Sequence, residues 1–251
     1  MAGEAQKAAE PKSDWAFKLG AGLMVAPTYE GSKNYHVEPM PVAEVSWRET
    51  VFLNPKDGLK VVLTPFKDTG LSVSGGIGYW RGRKESADKD NDDALRGLGN
   101  LSGNAVARLG IDYRYNAMSA GLVVARDLGG DRDGTTITLK GGYKIYQSDK
   151  IRVGADLSTT WADDNYMQSL FGITAIQSAR SPKHYAAYDA AAGIKDVKVG
   201  LNAGYAFTPA IELFARTEYG RLLSDAADSP IVKNQGSENQ FSGGLGLTYR
   251  F

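Results

Sequence analysis

The sequence predicts an all-β fold: a closed, antiparallel, up-and-down transmembrane β-barrel of about twelve strands, with short turns at one end and longer loops at the other. Three observations predict it. Apolar and polar residues alternate in one segment after another, the connections alternate between short and long, and aromatic residues collect at both ends of the apolar face. The last segment shows the pattern: Phe241, Gly243, Leu245, Leu247, Tyr249 and Phe251 fall on one face, and Gln240, Ser242, Gly244, Gly246, Thr248 and Arg250 on the other. Lipid-facing and lumen-facing residues alternate in this way along every strand of a membrane barrel. Tyr249 and Phe251 are expected to act as the terminal aromatic signal that barrel-assembly machinery reads.

Taken in order, odd-numbered residues form the apolar set almost throughout. Trp15 to Ala26 carries Trp15, Phe17, Leu19, Ala21, Leu23 and Val25 on one side, and Val37 to Arg48 carries Val37, Pro39, Pro41, Ala43, Val45 and Trp47. The two prolines place this second strand where some ladder bonds are missing. A short hairpin, Val51 to Leu53 and Leu59 to Leu63, turns at Asn54-Pro55-Lys56-Asp57-Gly58. Eight further segments follow: 71–80, 105–115, 118–125, 135–146, 151–161, 194–207, 211–222 and 240–251. Each approaches the roughly 9 to 11 residues a tilted strand needs to cross a bilayer.

With the first strand running outward, short links fall at 48–50, 65–70, 116–117, 147–150 and 208–209, and long ones at 27–36, 81–104, 127–134, 162–193 and 224–239. Only the turn at 54–58 breaks the rule, as a tight turn expected on the outer side. Bacterial barrels have this asymmetry, with short periplasmic turns and long outer loops. Trp15, Phe17, Trp47, Tyr113, Tyr115, Tyr143, Tyr205, Tyr249 and Phe251 then form a girdle at the periplasmic rim, and Trp161 joins Tyr79, Tyr219 and Phe241 at the outer one. A soluble sandwich also alternates, but it has no reason to carry two aromatic rings at opposite ends of one face.

Composition sets the outer bounds. The chain has 251 residues, 30 of them glycine and 13 tyrosine, no cysteine, and 29 basic against 29 acidic side chains. No apolar run approaches the roughly 20 residues of a transmembrane helix, and a net charge of zero offers nucleic acid no bulk attraction. Residues 1–14 read as a polar periplasmic tail on a mature chain whose signal peptide is absent, and residues 15–251 as one barrel domain in the outer membrane of a Gram-negative bacterium.

The even-numbered face is expected to line the lumen with Lys18, Glu38, Glu44, Arg108, Asp112, Arg114, Arg126, Lys140, Arg152, Asp156, Glu212, Arg216 and Glu218, together with Arg48, Lys144, Asp196, Lys198 and Arg250. A cation on the lipid face would cost roughly 2 to 4 kcal/mol at the bilayer midplane. If these charges pair across the lumen, the barrel is a closed platform. If they stand apart in water, it is a narrow channel with a slight preference for anions.

Chemistry is sparse. His36 and His184, the two histidines, fall in expected outer loops without a nucleophile motif around them. The run Asp88-Lys89-Asp90-Asn91-Asp92-Asp93 lacks the glycine and glutamate of a calcium loop and reads as a solvated acidic loop, with loose divalent binding near lipopolysaccharide as its alternative. Glycine pairs such as Gly75-Gly76 and Gly141-Gly142 lie inside strands, so they mark curvature or close packing, and no cofactor is expected. Asp163, Asp164, Asn165, Tyr166 and Met167 open a stretch to Ile176 that fits one or two helical turns, capped by Asp163 or Asp164 and folded over the barrel mouth.

The stretches Ala26-Pro27-Thr28-Tyr29-Glu30-Gly31-Ser32, Thr160 to Gly172 with its Trp-Ala-Asp-Asp-Asn-Tyr-Met run, Tyr188 to Val197, and the ending Thr248-Tyr249-Arg250-Phe251 resemble the MipA/OmpV family of outer-membrane proteins. The resemblance implies a non-enzymatic barrel without catalytic residues. The family's namesake is a scaffold joining a murein-degrading lytic transglycosylase to a bifunctional murein synthase, and other members are discussed as osmotic-response proteins and surface antigens. The implied partners are outer-membrane lipid and lipopolysaccharide, the assembly machinery, and murein hydrolase and synthase. Contact with the last two would use the tail and the short turns.

Overall fold

The computed structural model describes residues 13–55, 57–66, 69–85 and 93–251. Most of the expected tail and of the acidic run at Asp88 lies outside these residues. Twelve strands close into one antiparallel barrel in sequence order, with β1 sealing against β12. They are β1 (Trp15–Pro27), β2 (Tyr35–Trp47), β3 (Val51–Asn54), β4 (Gly58–Leu63), β5 (Leu71–Trp80), β6 (Asn104–Tyr115), β7 (Met118–Asp127), β8 (Thr135–Gln147), β9 (Ile151–Ala162), β10 (Gly193–Ala206), β11 (Ile211–Leu222) and β12 (Asn239–Arg250). Four short helices occupy two of the outer loops: α1 (Asp164–Phe171) and α2 (Ala175–Arg180) in one, α3 (Ser224–Asp228) and α4 (Pro230–Gln235) in the other.

The apolar face of the wall points outward and stays uncovered. Leu23, Leu109 and Leu201 are all more than half exposed. Strand pairing around the barrel satisfies most of the backbone within the sheet, and this apolar exterior has hydrocarbon as its matching solvent. The girdle residues lie on the same outward face. At the short-turn end Trp15 stacks on Phe17 at 6.3 Å and meets Trp47 at 6.5 Å, while Tyr249 and Phe251 pack edge to face at 4.7 Å.

Three local events break the odd-even rule. The two-residue turn at Asn116 and Ala117 pairs Tyr115 with Met118, so odd and even exchange faces in β7. Met118, Ala120, Leu122 and Val124 therefore point outward, and so does Arg126, opposite Ala107 and Thr135. This corrects its expected place in the lumen. Arg126 sits at the outer end of β7, ion-paired with Asp133 at 2.9 Å and Asp163 at 3.6 Å. A second event is a bulge between Lys144 and Tyr146, which leaves Ile145 and Tyr146 both exposed. A third is a bulge between Ile194 and Asp196, which turns Lys195 inward.

Two further expectations change. Arg48 lies in the β2–β3 turn with φ 51°, paired with Asp14 at 3.0 Å, instead of lining the lumen. His36 belongs to β2, opposite Ala26 and beside Glu38 at 3.5 Å, instead of an outer loop. The tight turn after β3 also stops short of the outer rim on the β2 side, since β3 meets β2 only at Val45, Ser46 and Trp47.

Candidate functional site

Most of the buried apolar residues among those described lie in the outer loops, with Val106, Ala162 and Leu222 near strand ends. Tyr29 from the β1–β2 loop, Leu95 and Leu98 from the β5–β6 loop, Met167, Phe171, Ile173 and Tyr185 from the β9–β10 loop, and Ile231 and Val232 from α4 form two adjoining cores. Loop segments without strand pairing must satisfy their own backbone, and side chains do much of it here. Tyr185 Oη donates to the Ala94 carbonyl at 2.9 Å, Ser229 Oγ to the Phe171 carbonyl at 2.6 Å, and Arg83 Nη1 to the Leu170 carbonyl at 2.7 Å. Burial lowers the Arg83 pKa to about 10.

The mouth-covering stretch is helical, as expected. Asp163 is the N-cap of α1, accepting from Tyr166 N at 2.9 Å, and its other oxygen accepts from Thr135 N at 2.8 Å, which ties the helix to β8. Asp164 accepts from Ala192 N, Asn165 is exposed, Tyr166 faces downward into a chamber, and Met167 is fully buried. Together these loops make a cap across the outer mouth.

Beneath the cap lies a chamber of about 440 Å³, lined by Tyr29, Glu30, Trp80, Arg132, Tyr166, Lys195, Asp196 and Lys198 among others. Lys195 is its centre: the ammonium bonds Glu30 and lies 2.8 Å from Asp196 Oδ2, with the Tyr166 ring at 5.6 Å. Beside it Arg132 grips Asp127 through two hydrogen bonds of 2.8 and 2.6 Å, and its guanidinium lies 4.0 Å from the Trp80 ring centre and 4.8 Å from that of Tyr166. Bidentate pairs of this kind fix geometry as well as charge. Burial would raise the Glu30 pKa, but the Lys195 and Lys198 ammonium groups outweigh it and hold the carboxyl below its ordinary value. Burial, reinforced by the Glu30 charge, pushes the Tyr166 phenol up.

From the chamber a ladder of charge descends the lumen. Lys198 lies 3.8 Å from both Asp196 and Glu218, and Arg216 reaches Glu218 and Asp156, each at 3.1 Å. Lys140 pairs with Asp112 at 2.8 Å, and Arg152 with Glu212. Lys18, Glu38, Glu44, Arg108 and Arg114 also face inward by register. Lys18, Glu44 and Arg250 line a cavity of about 200 Å³ at the short-turn end of the barrel. Most of the expected lumen charges are therefore paired, although many are partly exposed to lumen water, where each pair is worth little by itself.

Sequence reasoning missed Lys195, Glu30, Arg132 and Asp127. The first three lie outside regular alternation, on a bulge or in loops, and β7 carries the shifted parity that hides Asp127. One signal was present: an odd-numbered Lys195 on the lipid face would have been costly, which hints at a bulge. The stretches that carry the family resemblance converge here, with Glu30 from the first, Tyr166 from the second, and Lys195 and Asp196 from the third.

No curated protein matches the chain. Among solved structures, a bacterial polysaccharide outer-membrane secretin is similar with TM-score 0.50 at 11% identity, covering 94% of this chain and 98% of that one, which shows the fold alone. The outer-membrane-expressed OmpT of Vibrio cholerae has TM-score 0.44 at 11% identity (95% and 97% covered), and the CymD monoaromatic hydrocarbon channel 0.44 at 13% (94% and 88%). The family model described as MltA-interacting protein MipA matches residues 19–251, nearly the whole barrel and its cap, and the chain belongs to that family.

Proposed function

We propose that this protein is a non-enzymatic barrel of the Gram-negative outer membrane that serves as a closed platform for murein-processing enzymes, presenting its periplasmic rim to a murein hydrolase and a murein synthase. The cap carries this reading. Its apolar core joins loops from around the mouth, and an ion-paired ladder crosses the lumen beneath, so open solute passage through the mouth is a poor account of the architecture. The family description as an MltA-interacting protein supports the choice of partner. The girdle holds the wall at both interfaces, and Tyr249 and Phe251 serve assembly.

Two measurements test this. Purified barrel in a planar bilayer gives no stable single-channel steps, whereas deletion of residues 164–180 produces them. Steps of equal size from the intact protein would contradict a closed platform. Purified barrel on a solid support retains a purified lytic murein transglycosylase and a bifunctional murein synthase, and loses them when residues 1–12 are removed and the periplasmic turns are shortened. Failure to retain either enzyme would refute the scaffold.

A further inference from the structure

Among the described residues the ladder that closes the barrel is short at one place, between β2 and β3. β2 keeps register with β1 from Tyr35 to Trp47, yet on its other edge it pairs with β3 only from Val45 to Trp47. β3 and β4 are 4 and 6 residues long, too short to reach the outer rim beside β2. Hydrogen bonds at both ends of the β1–β2 ladder show how the open edge is built. Arg48 N donates to the Asp14 carbonyl and Thr28 N to the Asn34 carbonyl, so even-numbered residues make the bonds between β1 and β2. Odd-numbered residues turn their backbone groups the other way. Val37, Pro39, Pro41 and Ala43 therefore have no strand partner on that edge among the described residues, and they present four carbonyls but only two N–H groups, because proline has none.

Prolines at alternate positions on one edge are poor partners for an added strand. Unpaired carbonyls at membrane depth are tolerated where they line water or protein. A lumen cavity of about 510 Å³, lined mainly by β5 to β9 with five basic and three acidic side chains, extends to Asp57 and Lys60 at the hairpin where β3 stops short. Lys140 and Arg216 are paired with Asp112 and Asp156. Lys60, Arg108 and Arg114 have no ion pair among the described residues. Lys60 and Arg108 flank Gly76 in one register row, and the Arg108 side chain lies over Gly78, where a Cβ would collide with it. Arg108 also donates to the Asp57 carbonyl at 3.2 Å, at the lip of the gap. The outward lips are apolar, with Val37 and Ile77 both more than half exposed.

We propose that this gap is a lateral portal through which the anionic head of a membrane amphiphile reaches Lys60 and Arg108, while its acyl tail stays in the surrounding hydrocarbon. Charge selects an anionic head, and the apolar lips with the cap overhead select sideways arrival over arrival from outside. The proposal concerns the wall and is independent of any murein partner.

Native mass spectrometry of the full-length barrel in a neutral detergent tests it, with dilauroyl phosphatidylglycerol, dilauroyl phosphatidylcholine and inorganic phosphate as probes. The expected result is retention of phosphatidylglycerol with about tenfold preference over phosphatidylcholine, a preference lost in Lys60→Gln and in Arg108→Gln. Arg108→Gln can unsettle the hairpin, so Lys60→Gln, which keeps the Asp57 contact, is read beside it. Inorganic phosphate leaves lipid binding unchanged. Equal retention of the two lipids, unchanged preference in Lys60→Gln, or displacement of lipid by free phosphate would each overturn the portal.

Discussion

Lys195→Met is the most informative single change in this protein. The Lys195 side chain is 5% exposed, and its ammonium holds Glu30, from the β1–β2 loop, against Asp196 of β10, itself 1% exposed. Methionine keeps the length and removes the charge, leaving the buried Asp196 and the partly buried Glu30 without their shared ammonium. Breaking a buried pair by removing one partner costs about 3 to 5 kcal/mol. At the lower figure the open fraction of the cap rises roughly a hundredfold. The assay is the rate of limited proteolysis in the 163–192 loop under conditions where the barrel still migrates as a heat-modifiable species. Adding Glu30→Gln to Lys195→Met restores part of the loss, since neighbours in one network are coupled by about 0.5 to 3 kcal/mol. Acid supplies a second readout. The Glu30 pKa is depressed below its ordinary 4.5, so its contribution is complete above that value and disappears as pH falls through the lower folded-state value. Cap opening in the native protein therefore accelerates below pH about 4.5, and this acid-dependent component shrinks in Lys195→Met. Unchanged proteolysis in Lys195→Met, or strictly additive effects with Glu30→Gln, would refute the assignment of Lys195 as the clasp.

Arg132→Leu and Arg126→Leu differ in outcome although both arginines pair with aspartate: the first breaks a buried bidentate pair and costs about 3 to 5 kcal/mol, the second an exposed one worth less than about 1, and equal thermal shifts would contradict the burial difference. Phe171→Ala empties the cap core at a cost of about 3 to 5 kcal/mol, seen as faster cleavage of the outer loops with an intact protease-resistant barrel. Gly22→Ala places a methyl group against the Leu245 carbonyl and 2.8 Å from Gly246 Cα at the β1–β12 seam; a lower yield of heat-modifiable barrel is expected, and full yield would show that the seam can yield.

Much of this barrel was legible because two solvents act on one strand. Hydrocarbon outside and water inside impose a period of two, so Leu19, Leu23 and Leu247 can be assigned to the outer face, and Asp156, Arg216 and Glu218 to the inner, by position alone. The periodicity also gave the number of strands, and the loop lengths gave their direction. Asp163 was legible as a helix cap because capping depends on residues a few positions apart.

Tertiary structure decided what parity and local spacing do not encode. Arg126 changed sides because one two-residue turn pairs odd with even, and Lys195 turned inward because a bulge adds a residue to β10 but not to β9. Both depend on the pairing of strands, which lies outside either strand's own sequence. The cap core is the same case on a larger scale: Tyr29, Leu95, Phe171 and Ile231 come from four loops with no common period, and only closure of the barrel brings those loops over one mouth. The open edge of β2 likewise required knowing where β3 stops, although its two prolines were in view throughout. The sequence by itself determined which solvent each regular strand residue meets, because that is set residue by residue. The tertiary structure alone decided which charges meet one another, because that depends on distances between segments far apart in the chain.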